Sequence, residues 1–146
     1  MGRFAISIEE CPSEEDVFSL IQNLVQFNDS KAEKENWHAL GIFMRNENRQ
    51  IVGGLNGHTH WNWLFIRHLW IEESLRWKGY GRMLLARAEN EALHRGCRSS
   101  WVDTFDFQAL SFYQKLGYEV FGILEDFPPG HRRYFLQKTI LPQQTS

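Results

Sequence analysis

Apolar positions along the chain recur with two different periods, and these periods predict strands and helices in alternation. Residues 4–8 alternate between apolar and polar side chains, which predicts a short strand. Residues 17–24 carry apolar side chains at helical spacing, after the capping residue Ser13 and an acidic first turn. The polar stretch 28–36 is predicted to be a short helix or a loop.

The middle of the chain is predicted to form three consecutive strands. They span residues 37–45, 50–60 and 63–72, with turns at residues 46–49 and at Asn62. The third segment is nearly continuous in apolar and aromatic side chains, which predicts a central position in a sheet.

The second half of the chain alternates helices with strands. An amphipathic helix is predicted from about residue 83 until Gly96, and a second helix from residue 108 until Gly117. Strands are predicted over residues 100–104, 118–124 and 132–138, and a turn at residues 127–130 joins the last two. The order β-α-(α)-β-β-β-α-β-α-β-β predicts an α/β fold with layers around one sheet.

Composition narrows the classes of protein that fit. The 146 residues predict one domain, spanning 1–146, and no apolar run approaches the roughly 20 residues that cross a bilayer. A formal net charge of −2 gives no reason to expect binding to nucleic acid. Cys11 and Cys97 have neither a disulfide framework nor metal-ligand spacing, so free thiols and a cytoplasmic location are expected, with no membrane association.

Residues 76–81 form the most informative segment, because two glycines and two basic residues directly precede a predicted helix. Such a helix start offers unpaired amide groups and the positive end of the helix dipole, which suits a phosphate. The segment does not match the P-loop pattern. It also departs from the dinucleotide fingerprint, because Leu84 stands where the third glycine belongs, although Asp103 lies at a suitable distance for a ribose contact.

A later segment gives this loop a more specific meaning. Arg76-x-x-Gly79-x-Gly81 matches the pattern R/Q-x-x-G-x-G/A, and residues 106–118 match N-x-x-A-x-x-x-Y-x-x-x-G-F/Y with Asp106 in place of the usual Asn. In both motifs and in its element order, the chain resembles the GNAT superfamily of N-acetyltransferases, as a small bacterial member. The resemblance implies an α/β GNAT fold, with a central mixed six- to seven-stranded sheet flanked by about four helices.

By this resemblance the ligand is acetyl-CoA, used as acyl donor, and no metal is needed. Backbone amides of the loop are implied to hold the pyrophosphate, and the strand that precedes the loop is implied to pair with the pantetheine arm beside a splayed neighbouring strand. The residues implied to contact the cofactor are Leu69, Trp70, Ile71, Arg76, Trp77, Lys78, Gly79, Tyr80, Gly81, Arg82, Asp106, Ala109 and Tyr113.

The reaction that the resemblance implies needs an acid and a base. Tyr113 occupies the family's tyrosine position and is expected either to protonate the departing thiolate or only to bind the sulfur of CoA. Glu72 at the end of the central strand is the first candidate base, acting through water, with Glu73 and Asp103 as alternatives. Asp106 is expected to cap the helix that begins near Gln108.

Aromatic and histidine residues before the loop leave two interpretations open. His58, His60 and His68 could suggest a metal, but no carboxylate or cysteine completes a ligand set, so none is expected. Trp61 and Trp63 either line an acceptor pocket, stacking on a cation, or cover the core.

Transfer of an acetyl group to a primary amine of a small molecule is the function expected first. The alternatives are acetylation of a protein lysine or N-terminus, and a non-catalytic domain that binds or senses acyl-CoA. A homodimer is the default oligomeric expectation.

Overall fold

The computed structural model describes residues 2–142 and divides them into two compact units. The first unit contains residues 2–35 and the second contains residues 36–142. Met1 and residues 143–146 lie outside the described part of the chain. The expectation of one domain over residues 1–146 stays a prediction.

The first unit contains a single helix, α1, which spans Glu14–Asp29. Its start is the predicted one, because the Ser13 side chain accepts a hydrogen bond from the Asp16 amide at 3.1 Å. Glu14, Glu15 and Asp16 place negative charge at the positive end of the helix dipole. Because α1 ends at Asp29, the first two residues of the polar stretch 28–36 belong to this helix and the rest of the stretch is a loop.

The strand predicted over residues 4–8 is wrong, because the structure assigns no strand there. A strand needs a partner with which to exchange backbone hydrogen bonds, and residues 2–35 contain no strand with which residues 4–8 could pair. An alternating pattern alone therefore gave a false signal at this point.

The second unit is built around one six-stranded mixed sheet. Its elements are β1 (His38–Arg45), β2 (Ile51–His60), β3 (Trp63–Ile71), a 3-10 helix (Glu73–Leu75), α2 (Tyr80–His94), β4 (Ser99–Phe105), α3 (Leu110–Lys115), β5 (Glu119–Glu125) and β6 (Arg132–Thr139). The predicted strands of this unit are confirmed to within a residue or two at each end. The six strands agree with the predicted six to seven, and the described residues hold three α-helices where about four were expected.

The strands lie in the order β1-β2-β3-β4-β6-β5. Only β3 and β4 are parallel, and every other neighbouring pair is antiparallel. The parallel pair needs a long crossover, and α2 supplies it. Strand β6 follows β5 along the chain but lies between β4 and β5 in the sheet.

The predicted turn at Asn62 is confirmed as a two-residue connection between β2 and β3. Trp61 and Asn62 have φ angles of 46° and 63°, the left-handed values of a turn whose twist matches that of a hairpin. Asn tolerates this conformation readily, whereas a bulky Trp adopts it at some cost.

The core of the second unit lies where the sheet packs against α2. Leu64 and Ile66 from β3 and Val102 from β4 are at most 1% exposed, and they pack with residues of the apolar face of α2. The buried residues of that face are Leu84, Leu85, Ala88 and Ala92. Each large apolar side chain buried in this way contributes about 1.5–3 kcal/mol to folding. The predicted amphipathic helix is thus confirmed, and it fixes the loop that precedes it against the sheet.

None of the helices within residues 2–142 combines the length and the apolar composition required to cross a bilayer.

Candidate active site

The centre of the sheet opens where β3 and β4 separate. The two strands pair over only four positions, from Trp63 opposite Ser99 to Ile66 opposite Val102. Beyond that point β3 continues to Ile71 and β4 to Phe105 with no pairing between them. The parallel strands therefore diverge toward their carboxyl ends, and the backbone groups that face the gap are free to bind an extended ligand.

A bulge in β3 coincides with the point at which the strands part. Asn56 lies opposite His68 and Gly57 lies opposite Ile66, so Arg67 is the extra residue. The chains approach so closely here that a Cβ atom on Gly57 would collide with the backbone oxygen of Phe65. Glycine at this position permits the close approach, and the bulge increases the local bend of β3.

The glycine loop lies at the end of β3 and leads directly into α2. Gly79 is the N-cap of α2 with a φ angle of 87°, a left-handed conformation that favours glycine. The Met83 amide donates to the Gly79 oxygen at 3.1 Å, so the amides of Tyr80, Gly81 and Arg82 precede the first backbone bond of the helix. These amides and the positive end of the dipole make the loop suited to an anion, and the loop lies beside the strand gap.

Arg76 ties this loop back to the strand. Its Nε donates a hydrogen bond of 2.9 Å to the backbone oxygen of Ile71. The Ile71 oxygen, expected to be open to a cofactor, is thus already paired. The terminal nitrogens of the Arg76 guanidinium stay available for an anion, because Nε carries the contact with the strand.

The second sequence motif packs against the first turn of α2. A Cβ atom placed on Gly81 would lie 3.3 Å from the ring of Phe112, so α3 approaches α2 closely at this glycine. Phe112 is followed directly by Tyr113, which is 3% exposed. Tertiary structure therefore places α3, which carries the motif tyrosine, against the first turn of α2.

Tyr113 is 3% exposed as a residue, and its hydroxyl makes no hydrogen bond within the described part of the chain. Burial raises the pKa of this phenol well above its usual value of about 10, and the negative charge of Asp103 raises it further. The side chain stays protonated at any physiological pH. A phenol with a raised pKa is a weaker acid, so this side chain is better suited to donate a hydrogen bond than to give up its proton.

The three candidate bases have different surroundings. Glu72 is exposed after the last residue of β3 and accepts a hydrogen bond of 3.0 Å from the Ser74 hydroxyl. Glu73 begins the exposed 3-10 helix. Asp103 is held by Arg133, whose Nη2 and Nε lie 2.7 and 3.0 Å from one of its carboxylate oxygens. Arg133 therefore already occupies the Asp103 carboxylate, which leaves Glu72 as the freer candidate at the end of β3.

Arg133 is a residue of this region to which no sequence motif points. Its guanidinium lies 4.9 Å from the ring centroid of Phe127 and 5.3 Å from that of Phe135, in addition to its contact with Asp103. Only the pairing of β4 with β6 places these side chains together, and nothing in the linear sequence announces that register.

Asp106 does not have the capping role that was expected. Helix α3 begins at Leu110 after Ala109, and no side chain caps it. The Asp106 carboxylate instead accepts hydrogen bonds from His131 Nδ1 at 2.9 Å and from the Arg132 amide at 3.1 Å. It therefore fixes the turn before β6, with one hydrogen bond to each carboxylate oxygen.

Trp61 and Trp63 lie at the end of β3 where it pairs with β4, opposite the gap. Trp63 and Ile71 are the first and last of the nine residues of β3, so they lie about 26 Å apart at the usual rise of an extended chain. Trp63 shares a shallow surface depression with Trp101 and Phe135. The geometry favours a role in covering the sheet over a role in an acceptor pocket next to the gap.

The three histidines are not assembled into a ligand set. His58 stacks on Trp37 with ring centroids 5.3 Å apart and lies 4.9 Å from His60, whereas His68 contacts Asn56 at 2.9 Å. Within residues 2–142, no group of three or more histidine, cysteine, aspartate or glutamate side chains is arranged to hold a metal ion.

Comparison with known proteins assigns a family to this arrangement. The model of the Acetyltransferase (GNAT) family matches residues 10–118. The chain belongs to this family. It is accordingly an N-acetyltransferase, of the acyltransferase class EC 2.3.1.

Relatives of this GNAT chain agree with the assignment. It is 42% identical over 95 residues to the blasticidin-S acetyltransferase of Streptomyces morookaense, covering 64% of this chain and 70% of that one. The crystal structure of an acetyltransferase from Bacillus cereus superposes with a TM-score of 0.81 at 33% identity, over 91% and 97% of the two chains. An aminoglycoside 6′-N-acetyltransferase complexed with coenzyme A shares the fold, with a TM-score of 0.62 at 20% identity over 73% and 76%.

Proposed function

We propose that this GNAT chain transfers an acetyl group from acetyl-CoA to a primary amine of a small molecule, by direct attack in a ternary complex. The observation that carries the proposal is the position of the gap between β3 and β4, which opens directly beside the glycine loop at the start of α2. An extended amide-rich arm and the pyrophosphate attached to it fit these two neighbouring features.

In this proposal the loop amides from Trp77 to Arg82 bind the pyrophosphate, and Arg76 and Lys78 add positive charge. The free edge of β3 over Leu69 and Trp70 pairs with the pantetheine arm. The arm then directs its thioester into the gap, where a backbone amide near Ile71 is placed to stabilise the oxyanion. One structural neighbour is an aminoglycoside 6′-N-acetyltransferase complexed with coenzyme A, and this supports the choice of cosubstrate.

The chemistry follows from two proton movements. The acceptor ammonium, with a pKa of about 10, loses a proton to Glu72 through water, and the free amine attacks the thioester carbon. The nitrogen loses its second proton to solvent as the tetrahedral intermediate collapses and expels the thiolate of CoA. Tyr113 donates a hydrogen bond to that sulfur, so the leaving group is stabilised without ionisation of the buried phenol.

The name of the Streptomyces relative favours a small acceptor over a protein. Blasticidin S is therefore the first amine to be assayed, beside an aminoglycoside, a lysine-containing peptide and a peptide with a free N-terminus. Release of free CoA thiol from acetyl-CoA is measured for each. Turnover with small amines alone supports the proposal, turnover with peptides alone favours the protein-acetylating alternative, and binding of CoA without turnover favours a sensor domain.

A further inference from the structure

One tryptophan in the glycine loop has a conformation that folding does not explain. Within the unit of residues 36–142, the Trp77 side chain is 102% exposed, more than any other large apolar side chain of the chain's described part. Its backbone has a φ angle of 66°. The loop thus combines a solvated indole with a left-handed backbone, and both are unfavourable for a residue of this type.

The conformation is costly without a ligand. A non-glycine residue in the left-handed region costs on the order of 1–3 kcal/mol, and such outliers cluster at ligand sites. The described chain provides no ring, cation or hydrogen-bonding partner for the indole in return. Asn, Asp or Gly would meet the backbone requirement with less strain.

The position of Trp77 relative to the anion site is fixed from both sides. Its neighbour Arg76 is tied to the Ile71 oxygen, and two residues later Gly79 caps α2. Two residues span at most about 7 Å, so the indole reaches beyond the pyrophosphate site without leaving its vicinity. Exposed Lys78 adds positive charge between the two.

We propose that the Trp77 indole is the platform on which the adenine ring of the coenzyme stacks. The inference rests on the proposed function. In coenzyme A the nucleoside and the pantetheine arm leave the pyrophosphate from opposite ends. When the arm runs from the loop into the strand gap, the adenosine extends outward from the loop, where Trp77 presents an open aromatic face. Stacking on one base is typically worth about 1–3 kcal/mol.

A comparison of two acetyl donors tests this assignment. The donors are acetyl-CoA and S-acetylpantetheine, which has the same arm and thioester but no nucleotide. Trp77→Ala is expected to raise the KM for acetyl-CoA about tenfold and to leave the KM for S-acetylpantetheine unchanged. Trp77→Phe keeps a stacking face and is expected to retain most of the affinity for acetyl-CoA.

Trp77→Gly separates the ring from the backbone, because glycine adopts the left-handed conformation without strain. It is expected to weaken acetyl-CoA binding as much as Trp77→Ala does. Phe43→Ala, which removes another exposed ring far along the chain on β1, is expected to change neither KM.

Several results would overturn the assignment. Equal KM increases for both donors would mean that the ring supports the loop, and unchanged KM values would mean that it contacts nothing on the donor. A glycine variant with wild-type affinity, or a phenylalanine variant as weak as the alanine variant, would likewise exclude stacking. Failure of the proposed function is a different outcome, because the wild-type protein would then transfer no acetyl group from either donor.

Discussion

The rings of Tyr113 and Tyr118 pack edge to face, with centroids 5.6 Å apart and planes at 69°, yet their hydroxyls are used differently. The Tyr118 hydroxyl shares a hydrogen bond of 2.8 Å with Ser100 Oγ inside the core. Tyr113 is nearly as buried as Tyr118, but its hydroxyl has no such partner within the described residues. One phenol therefore stabilises the fold, and the other is available to a ligand.

The Tyr113→Phe variant is expected to lose activity but not stability. Removing a hydroxyl that has no partner leaves no unpaired group behind, so the thermal unfolding midpoint should stay close to that of the wild type. Loss of hydrogen-bond donation to the departing thiolate should lower kcat about 10²-fold, with little change in CoA affinity. Steady-state kinetics and calorimetric binding of CoA measure the two effects. Unchanged kcat would remove Tyr113 from the mechanism.

Tyr118→Phe is the matched control with the opposite expectation. The substitution leaves the buried Ser100 hydroxyl without its partner, which costs about 1–3 kcal/mol of unfolding free energy. At a temperature at which the variant is folded, kcat should match that of the wild type. A large loss of kcat in Tyr118→Phe with the fold intact would mean that the two tyrosines act together.

The glycines at the two ends of α2 allow the anion site to be tested against pure backbone strain. Gly79 and Gly96 have φ angles of 87° and 90°, and an added Cβ atom meets no atom within 4 Å at either position. Alanine at each site should therefore cost a similar 1–3 kcal/mol in stability. Only Gly79→Ala should weaken CoA binding, because only Gly79 shapes the loop. Equal CoA affinities in the two folded variants would contradict the assignment of the loop.

Gly81→Trp tests the same site by obstruction. The new side chain would enter the narrow space between the first turn of α2 and Phe112, where even a Cβ atom lies 3.3 Å from the ring. CoA binding should be abolished in a variant that retains the wild-type circular dichroism spectrum. A folded variant with wild-type affinity would show that the cofactor lies elsewhere.

The candidate bases Glu72 and Asp103 are distinguished by whether a higher pH restores the kcat of the variant that lacks the carboxylate. Glu72→Gln is expected to lower kcat about tenfold or more near pH 7 and to recover as the pH approaches 10, because the amine then loses its proton without a base. Donor KM should change little. A deficit that persists unchanged at high pH would indicate a role other than proton removal.

Asp103→Asn is expected to act through stability. The substitution removes a charged hydrogen-bond acceptor from Arg133, and such contacts contribute about 1.5–3 kcal/mol. Chemical unfolding of Asp103→Asn and of Arg133→Met should show similar losses, with the double variant little worse than either single one. Additive losses would show that the two side chains do not act as a pair.

Stability should fall steeply in alkaline solution. Burial raises the pKa of Tyr113 and of Tyr118 in the folded protein, and nearby carboxylates raise both further. The stabilisation is complete below the unfolded tyrosine pKa of about 10, and it is lost as pH rises from there toward the folded values. Each buried phenol should contribute a slope of about 1.4 kcal/mol per pH unit in this range.

Urea unfolding at a series of pH values from 8 to 11 measures this loss. The Tyr113→Phe variant should show a shallower alkaline decline than the wild type, since it has one buried phenol fewer. Parallel profiles for the two proteins would mean that Tyr113 ionises as readily in the folded state as in the unfolded one.

Sequence patterns located most elements of the second unit because their signals are local. The start of α1 depends on Ser13 and the acids after it, and the start of α2 depends on Gly79, whose conformation follows from its missing side chain. Strands β1 to β3 are separated by short turns of recognisable composition. Residues 4–8 also show the alternation of apolar and polar side chains that is typical of a strand, but they have no partner strand and do not form one.

Local signals could not assign the polar contacts between distant segments. Asp106 was expected to cap the next helix, but it accepts hydrogen bonds from His131 and Arg132 instead, 25 and 26 residues away. Asp103 was one of three open candidates for the base until the pairing of β4 with β6 placed Arg133 against it. Such contacts depend on strand register, which side-chain chemistry alone does not specify.

The sequence by itself determined the family motifs, the glycine loop and the element order from α1 onward, because glycine conformation, helix capping and hydrophobic periodicity act over a few residues. Only the tertiary structure decided that β3 and β4 part after Ile66, that Phe112 packs against Gly81 at the start of α2, and that Trp77 stands free in solvent. These features depend on which distant segments of the chain meet and which side chains are left without a neighbour. Packing and strand register decide this, and no local pattern encodes it.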